Sequence, residues 1–257
     1  MYKKRGWLPG KEDRAAMEAE EYMEKGLELK IIGHVRTDFT SKFGIPRQSG
    51  LIEELKGTIV MEPEYREPAA FKGLSDFSHI WLIWEFSENL RDGWSPTVRP
   101  PRLGGNKRVG VFATRSPFRP NALGLSCVKL EQIEMDEKLG PVLHISGADL
   151  MDGTPVFDIK PYLPFVDGHP EACGGFTDRT REYCLTVEAP EELLCRIPEE
   201  KREALKKVLS QDPRPSYQKD PGRVYGMEFA GFEVKFSVEN SRIYLRDVEK
   251  TGDADCP

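Results

Sequence analysis

The sequence predicts a mainly β protein, with a β-barrel or sandwich flanked by a helical N-terminal extension and a small α+β C-terminal domain. Short β-rich runs separated by Gly- and Pro-rich turns fill residues 29–188, a pattern typical of barrels and sandwiches. A charged helical pattern precedes them in residues 1–28, and residues 189–257 combine a helix with further strands. A chain of 257 residues is long enough for one large domain and a smaller one, which supports this division.

The N-terminal extension is predicted as a charged helix. Residues 11–25 are rich in Glu, Lys, Ala and Met, and Gly26 follows them at a position suited to a helix C-cap. We interpret the segment as a solvated extension.

The central region contains the predicted barrel strands. Its strand-like runs are residues 29–35, 80–86, 109–113 and 142–146. Residues 77–86 lack strict polar alternation, which is what a strand buried on both faces looks like. We expect this run to be the core strand.

The C-terminal region is predicted as α+β. Residues 198–211 form an amphipathic helical pattern that begins with proline and ends before Asp-Pro-Arg-Pro at residues 212–215. Two strand-like runs follow, at residues 224–229 and 232–238.

Charge and hydropathy exclude several functional classes. A net charge of −6 argues against nucleic acid held by bulk electrostatics, because non-specific affinity grows with the number of phosphates neutralised. Any nucleic-acid site must therefore be a local patch. No stretch approaches the ~20 apolar residues of a membrane span, and the N-terminus lacks the apolar core of a signal peptide. We expect a cytoplasmic protein with no membrane partner.

The cysteines and the known phosphate-binding motifs give little support to metal or Rossmann-type chemistry. The five cysteines include no CxxC pair, so reduced thiols are expected. Cys173, Cys184 and Cys195 lie near His169, but structural zinc ligands usually come in closer pairs, and we predict no metal. The sequence also lacks a phosphate loop and a G-x-G-x-x-G after a strand.

The most informative segment is residues 99–121, which contains several cations and no acidic residue. Its basic residues are Arg99, Arg102, Lys107, Arg108, Arg115 and Arg119, and its amides are Asn106 and Asn121. Proline and glycine stiffen this loop, and guanidinium groups held in this way suit phosphate or carboxylate recognition. We predict an RNA-binding surface here, with the amides suited to reading a base edge.

Two further clusters are weaker. Residues 42–50 join basic and amide side chains to a proline-stiffened turn. Asp149, Asp152 and Asp158 lie in a turn-rich stretch after a strand. These carboxylates would accept hydrogen bonds from ribose hydroxyls or an α-amino group, bind a divalent metal, or cap turns, and spacing alone favours turn chemistry.

These segments resemble the TsaA/TrmO (YaeB-like) family of S-adenosylmethionine-dependent tRNA methyltransferases. The matching motifs occur in order: Pro-Arg-Gln at 46–48, Phe-Ser-His at 77–79, Arg-Pro-Pro-Arg-Leu-Gly-Gly-Asn at 99–106, Gly-Val-Phe-Ala-Thr-Arg-Ser at 110–116, Arg-Pro-Asn-Ala-Leu-Gly at 119–124, and Asp-Leu-Met-Asp-Gly-Thr-Pro-Val-Phe-Asp-Ile-Lys-Pro-Tyr at 149–162. Together they span roughly residues 30–167, and residues 212–217 look like the family's C-terminal domain.

The resemblance implies a β-barrel methyltransferase that acts as a homodimer, with S-adenosyl-L-methionine bound near the subunit interface. It implies a tRNA substrate and not DNA: N6-threonylcarbamoyladenosine at position 37 of threonine tRNA, which becomes methylated on N6. The cofactor contacts carried over by motif are Pro46, Arg47, Gln48, Ser87, Glu88, Arg115, Leu125, Asp149, Leu150, Met151 and Asp152.

The chemistry of this reaction suggests roles for individual residues. Loss of the N6 proton would assist methylation, and Asn121, Asp149 or water would accept it. Arg115 and Arg119 are the candidate partners for the threonyl carboxylate of the substrate.

Other functions remain open from the sequence. One is a non-catalytic RNA-binding module that uses the same basic loop and needs no cofactor pocket. Another is an S-adenosylmethionine-dependent methyltransferase of a small molecule or a different nucleoside. A metal-dependent hydrolase built on the aspartates is disfavoured because no histidine lies in their segment.

Overall fold

The computed structural model describes residues 27–89, 93–103, 107–180, 183–214, 220 and 222–252. The chain divides into two compact units, Met1–Lys30 and Ile31–Pro257. Residues 1–26 of the predicted N-terminal helix lie outside the described residues, and residues 27–30 form neither helix nor strand. The account below concerns the second unit.

The described residues form twelve β-strands and three short or medium α-helices. The strands are β1 (Gly33–Arg36), β2 (Lys56–Met61), β3 (His79–Glu85), β4 (Thr97–Val98), β5 (Val109–Gly110), β6 (Leu123–Asp136), β7 (Gly140–Ser146), β8 (Pro155–Pro161), β9 (Thr186–Glu188), β10 (Val224–Phe229), β11 (Phe232–Glu239) and β12 (Arg242–Lys250). The helices are α1 (Pro164–Asp167), α2 (Glu191–Leu194) and α3 (Glu199–Ser210). No helix in the described part of the chain has the length and apolar character needed to cross a membrane.

Six strands close into an antiparallel barrel in the order β1-β2-β7-β6-β3-β8. Its interior is filled by aliphatic side chains, among them Val35, Ile59, Leu82, Leu143 and Val156, each with no accessible surface. Closure removes the free sheet edges that would otherwise pair with other chains. The prediction of a mainly β protein with a barrel core is therefore confirmed.

Strand β3 corrects one prediction, because it is not fully buried on both faces. Ile80, Leu82 and Trp84 point into the core, whereas Trp81 and Ile83 on the opposite face are half-buried. The outer face is covered locally, since the Trp81 ring lies 5.8 Å from the Tyr162 ring. Trp81 Nε1 also donates a hydrogen bond to Asp167 Oδ2 at 3.1 Å. An apolar outer face on this strand thus reflects a covering loop and not a second layer.

The run at residues 109–113 corrects another prediction. Only Val109 and Gly110 form a strand, which pairs with β4, and residues 111–113 form a single 3₁₀ turn. Val111 is buried at 1 % exposure and anchors this turn, so Phe112 projects outward. The sequence also did not reveal the 14-residue length of β6, which spans the barrel wall.

The C-terminal part is α+β, as predicted. A four-stranded sheet has the order β10-β11-β12-β9, in which β9 is parallel to β12. The predicted helix is α3, and it follows Pro198 at the N-cap. Because β9 precedes residue 189 and yet pairs in this sheet, we keep the division at 188/189 only as a proposal.

The loop between β1 and β2 joins the barrel to the C-terminal sheet. Phe39, Ile52 and Leu55 of this loop belong to the same apolar cluster as α3 and strands β10 to β12. The Phe39 and Phe229 rings lie 5.5 Å apart, and Lys201 forms an ion pair with Asp38. The second core therefore fixes the loop that contains Pro46 to Gln48.

Candidate active site

A cavity of about 470 Å³ opens at the barrel end where these loops meet. It is lined by residues 42, 45–48, 84–89, 114, 115, 117, 119, 123–125, 149, 151 and 154. The loop after β1, the end of β3, the segment before and within β6, and the turn before β8 all contribute. Its volume falls within the roughly 300–1,000 Å³ of small-molecule sites.

The structure brings most of the predicted cofactor residues together. Those that line the cavity are Pro46, Arg47, Gln48, Ser87, Glu88, Arg115, Leu125, Asp149 and Met151. Leu150 and Asp152 point elsewhere. Leu150 is 1 % exposed in the barrel core, and Asp152 Oδ1 accepts a hydrogen bond from the Thr37 N–H at 3.1 Å. Alternate side chains of an extended segment face opposite sides, so Asp149 and Met151 reach the cavity while their neighbours do not.

Asp149 is tied to the barrel wall through a short hydrogen-bonded chain. Ser126 Oγ donates to Asp149 Oδ1 at 2.7 Å, and Trp84 Nε1 donates to Ser126 Oγ at 3.0 Å. Because an indole N–H can only donate, the single Ser126 proton must point toward Asp149. Asp149 Oδ1 is therefore fixed as a hydrogen-bond acceptor, whatever the protonation state of the group.

The surroundings of Asp149 also change its acidity. Burial raises the pKa of Asp149 above its ordinary value. The hydrogen bond from Ser126, backbone N–H donors including that of Ser49, and the charge of Arg115 act in the opposite direction and are outweighed. The carboxyl group is thus a stronger proton acceptor than a solvated aspartate.

An aromatic wall forms the other side of the cavity. Trp84 on β3 lies opposite Gly124 on β6, and a Cβ at residue 124 would lie 2.2 Å from the indole. The glycine therefore provides the space that the indole occupies. Trp84 and Phe86 have ring centroids 4.3 Å apart, and together they present apolar surface to the cavity.

The cations around the cavity are oriented by oxygen atoms of neighbouring loops. Arg115 donates to Gln48 Oε1, which joins two of the motifs. Arg119 Nη1 donates to the Thr114 carbonyl at 2.7 Å, and Lys42 Nζ donates to Asn89 Oδ1 at 3.2 Å. These bonds hold positive charge beside the opening.

The remaining basic residues of the predicted RNA-binding surface lie outside the cavity lining. Arg99, Lys107 and Arg108 are exposed, and Arg108 Nε donates to Thr97 Oγ1 at 2.7 Å. Asn121 is also exposed and is not part of the lining. The Arg102 side chain and Asn106 lie outside the part of the chain that the structure describes.

The three aspartates considered as a metal site do not converge. Asp158 forms an ion pair with Lys160 at 2.9 Å, and Asp152 interacts with Arg36 and the Thr37 backbone. Among the described residues, no group of three or more His, Cys, Asp or Glu side chains could hold a metal ion. Asp152 thus links its turn to the distant residues Arg36 and Thr37, and Asp158 pairs with Lys160 within strand β8.

Several lining residues were missed by sequence reasoning. These are Ile45, Trp84, Glu85, Phe86, Asn89, Thr114, Pro117, Leu123, Gly124 and Thr154, together with Lys42, which was noted only as part of a basic cluster. Trp84 and Phe86 were interpreted as core because they end an apolar run. Near the rim of the barrel, strand β3 passes from the core to the cavity within two residues. The register of β3 with β6 determines the residue at which this change occurs.

Comparison with known proteins gives a consistent result across the chain. Residues 34–168 match the family described as the tRNA-methyltransferase O N-terminal domain, and residues 182–251 match the TrmO C-terminal domain. An Escherichia coli K12 protein named tRNA (adenine(37)-N6)-methyltransferase is 40% identical over 225 residues, which is 83% of this chain and 94% of that protein.

Two Pseudomonas aeruginosa proteins agree with this match. One carries the words S-adenosylmethionine-dependent methyltransferase in its name and is 42% identical over 211 residues, covering 79% of this chain and 89% of that protein. The other is a crystal structure of TrmO, with a TM-score of 0.70 and 34% identity, covering 88% of this chain and 97% of that one. Both the sequence and the fold are therefore similar over most of the chain.

Proposed function

The chain belongs to the tRNA-methyltransferase O family, and from this premise we propose that it methylates N6 of adenosine 37 in tRNA with S-adenosylmethionine as methyl donor. The observation that carries the proposal is the cavity of about 470 Å³, where four separate family motifs meet. An RNA-binding module without catalytic activity would not require these motifs to converge on one cavity.

The chemical groups around the cavity fit S-adenosylmethionine. Trp84 and Phe86 offer apolar aromatic surface for a purine ring. Asp149 and Glu88 offer acceptors for ribose hydroxyls or an ammonium group, and Arg115 offers a guanidinium for a carboxylate. S-adenosylmethionine contains a purine ring, ribose hydroxyls, an ammonium group and a carboxylate. The cavity therefore offers a suitable side chain for each of these groups.

The finer proposal concerns the substrate, which we take to be N6-threonylcarbamoyladenosine at position 37 of threonine tRNA. Arg119 supports it, because this guanidinium lies at the cavity rim and its backbone hydrogen bonds hold it in place. A carboxylate on the modified adenine is a suitable partner for such a group. Position 37 lies in a single-stranded loop, so the base can swing out without breaking a pair.

S-adenosylmethionine would supply an electrophilic methyl group: N6 would attack the methyl carbon in line with the C–S bond, and S-adenosylhomocysteine would leave as that bond breaks. The protein residues contribute mainly by positioning, which can lower a barrier by roughly 7 to 11 kcal/mol in favourable cases. The link from Arg115 to Gln48 and the packing of Trp84 against Gly124 both restrict the cavity walls. Such restriction favours a single alignment of the two reactants.

We assign proton acceptance to Asp149 rather than to Asn121. The N6 proton must leave as the new N–C bond forms, and a carboxylate with a raised pKa accepts it more readily. Asn121 lies exposed outside the lining, which makes it the weaker candidate.

The proposed function also includes a homodimer. Sedimentation of the purified protein would measure its oligomeric state.

The decisive experiment is calorimetric titration with S-adenosylmethionine and with S-adenosylhomocysteine, followed by methylation of tRNA. We expect Arg115→Ala to weaken ligand binding about tenfold to a hundredfold, because it removes a charged hydrogen-bond donor from the cavity. Arg108→Ala is the matched control, since Arg108 lies in the same basic segment outside the lining and should bind the ligand normally.

The substrate is tested with threonine tRNA that does or does not carry the threonylcarbamoyl group. Methylation of only the modified tRNA would support N6-threonylcarbamoyladenosine as the substrate. Equal methylation rates for the two tRNAs would show that adenosine 37 is methylated without need of the threonylcarbamoyl group. Absence of binding by either ligand would contradict the methyltransferase proposal and favour an RNA-binding module.

A further inference from the structure

Trp94 and Phe112 form an exposed aromatic pair that the proposed methyl transfer does not use. Their ring centroids lie 6.0 Å apart with an interplanar angle of 25°, so the two rings are stacked. Trp94 is 50% exposed and Phe112 is 70% exposed. Two large aromatic side chains side by side at the surface indicate a contact surface more than a packing accident.

The local backbone holds this pair in place. Phe112 lies in the 3₁₀ turn that the buried Val111 side chain anchors, and the Val111 N–H donates to the Pro96 carbonyl at 3.0 Å. The Ser95 N–H on the Trp94 side donates to the Phe118 carbonyl at 3.4 Å. The short β4–β5 ladder ties the two segments together. The rings are therefore presented on a constrained scaffold.

Arg119 connects the aromatic pair to the cavity. Its guanidinium carbon lies 5.8 Å from the centroid of the Phe112 ring, and the same side chain lines the cavity. One part of a ligand that contacts the aromatic pair would thus lie beside another part that occupies the cavity. The arrangement suits two neighbouring parts of one large substrate.

The charge around the pair selects the kind of substrate. Residues 93–121 contain no Asp or Glu, and the exposed cations Arg99, Lys107 and Arg108 belong to this segment. An apolar ring pair on a segment that contains exposed cations and no acidic residue complements a flat base attached to phosphates. It complements an acidic polymer better than another copy of this chain, whose own matching surface would be equally basic.

We propose that Trp94 and Phe112 form a stacking platform for an unpaired RNA base adjacent to the adenine that enters the cavity. This inference rests on the proposed function, because that function places RNA at the cavity. An adenine that leaves the anticodon-loop stack exposes a face of its neighbour, and an aromatic surface beside the cavity replaces the lost stacking. The platform therefore gives affinity with little dependence on base identity.

The experiment measures binding of a fluorescently labelled anticodon stem-loop RNA without S-adenosylmethionine. We expect Phe112→Ala and Trp94→Ala each to weaken RNA binding about tenfold, and Phe112→Tyr to restore most of the affinity because it keeps an aromatic ring. Stem-loop RNA should also quench tryptophan emission in the wild type, and Trp94→Phe should remove that part of the quenching. Binding of S-adenosylmethionine by Phe112→Ala should equal that of the wild type, which also reports correct folding.

Two results would overturn the platform. One is unchanged RNA affinity and unchanged KM for tRNA in Phe112→Ala. The other is a change from dimer to monomer in sedimentation of Phe112→Ala with RNA affinity per subunit preserved, which would make the face a self-association surface. Failure of the proposed function gives a different pattern: aromatic-dependent RNA binding would persist while the wild type methylates no tRNA.

Discussion

The carboxyl group of Asp149 lies where its charge is disfavoured by burial and yet faces the cavity. The Trp84–Ser126 chain restricts the orientation of this group through the hydrogen bond to Oδ1. Ser126 has no accessible surface, so water does not replace its hydroxyl group. A single buried serine thus restrains the carboxyl group that faces the cavity.

The raised pKa of Asp149 predicts how stability depends on pH. The folded chain binds this proton more tightly than the unfolded chain does. The resulting stabilisation is fully present below the unfolded-state pKa and is lost as the pH rises through the higher folded-state pKa. Asp149→Asn does not titrate, so its Tm relative to wild type should increase as the pH rises toward neutrality. Thermal unfolding across this pH range measures the difference.

A matched control distinguishes the effect of burial of the Asp149 carboxyl group from the effect of removing a carboxylate at any position. Asp158→Asn is the matched variant, because it also removes a carboxylate but one that is paired with Lys160 near the surface. Asp149→Asn should also lower kcat for tRNA methylation, because an amide does not accept the N6 proton. A Tm difference that is independent of pH would contradict the role of burial.

At the scale of elements, the pairing of β3 with β6 builds the cavity wall. Trp84 on one strand lies directly opposite Gly124 on the other, and the indole fills the space above the glycine. The same indole donates to Ser126, two residues further along β6. The register of two strands therefore positions the aromatic wall and the support of Asp149 together.

This pairing predicts the effect of Gly124→Ala. The added methyl group would lie 2.2 Å from the indole of Trp84, so the ring must move and its bond to Ser126 must weaken. We expect a loss of about 1–3 kcal/mol in the free energy of unfolding, together with weaker binding of S-adenosylmethionine. Chemical denaturation and calorimetry measure the two effects.

Gly110→Ala is the control for this substitution. A Cβ at residue 110 has no neighbour within 4 Å, and this glycine has a negative φ of −58° that alanine adopts readily. Its stability and ligand affinity should match those of the wild type. Equal behaviour of the two alanine variants would show that the indole is free to move and that the wall is not fixed by this contact.

At the scale of the whole molecule, the C-terminal sheet supports the cavity indirectly. Phe39 in the loop after β1 packs on Phe229 of β10, and Lys207 on α3 forms an ion pair with Glu54 near the end of this loop. Residues 45–48 of the same loop line the cavity. The cavity thus adjoins a loop held by a domain that, among the described residues, contributes no lining residue to it.

Phe229→Ala tests this dependence. Loss of the buried ring should cost about 3–5 kcal/mol of unfolding free energy and should also weaken S-adenosylmethionine binding, because the loop loses its support. Val248→Ala removes buried volume from β12, two strands from β10, and should lower stability without the same loss of affinity. Titrations at a temperature where both variants are folded make the comparison. Equal affinities would indicate that the loop is rigid without the C-terminal sheet.

Local patterns in the sequence determined the fold class, and the family resemblance together with the basic segment gave ten of the twenty-one residues that line the cavity. Strand runs bounded by turns predicted the barrel, and the Pro-initiated amphipathic pattern predicted α3. The family resemblance predicts the motif at residues 46–48, Arg115 and Asp149 as site residues, and the structure places all of them on one cavity. These features are short-range, because periodicity, caps and motifs are encoded in neighbouring residues.

Only the tertiary structure decided which side chains face the cavity. Leu150 and Asp152 lie within the same motif as Asp149, yet they point to the core and to Thr37. Trp84 is a core residue, as its strand predicted, and the structure shows that it and Phe86 also line the cavity. Phe112 looked like part of a strand, but the 3₁₀ turn places it at the surface. The physical reason is that orientation depends on pairing between segments distant in sequence, and no local pattern encodes that pairing.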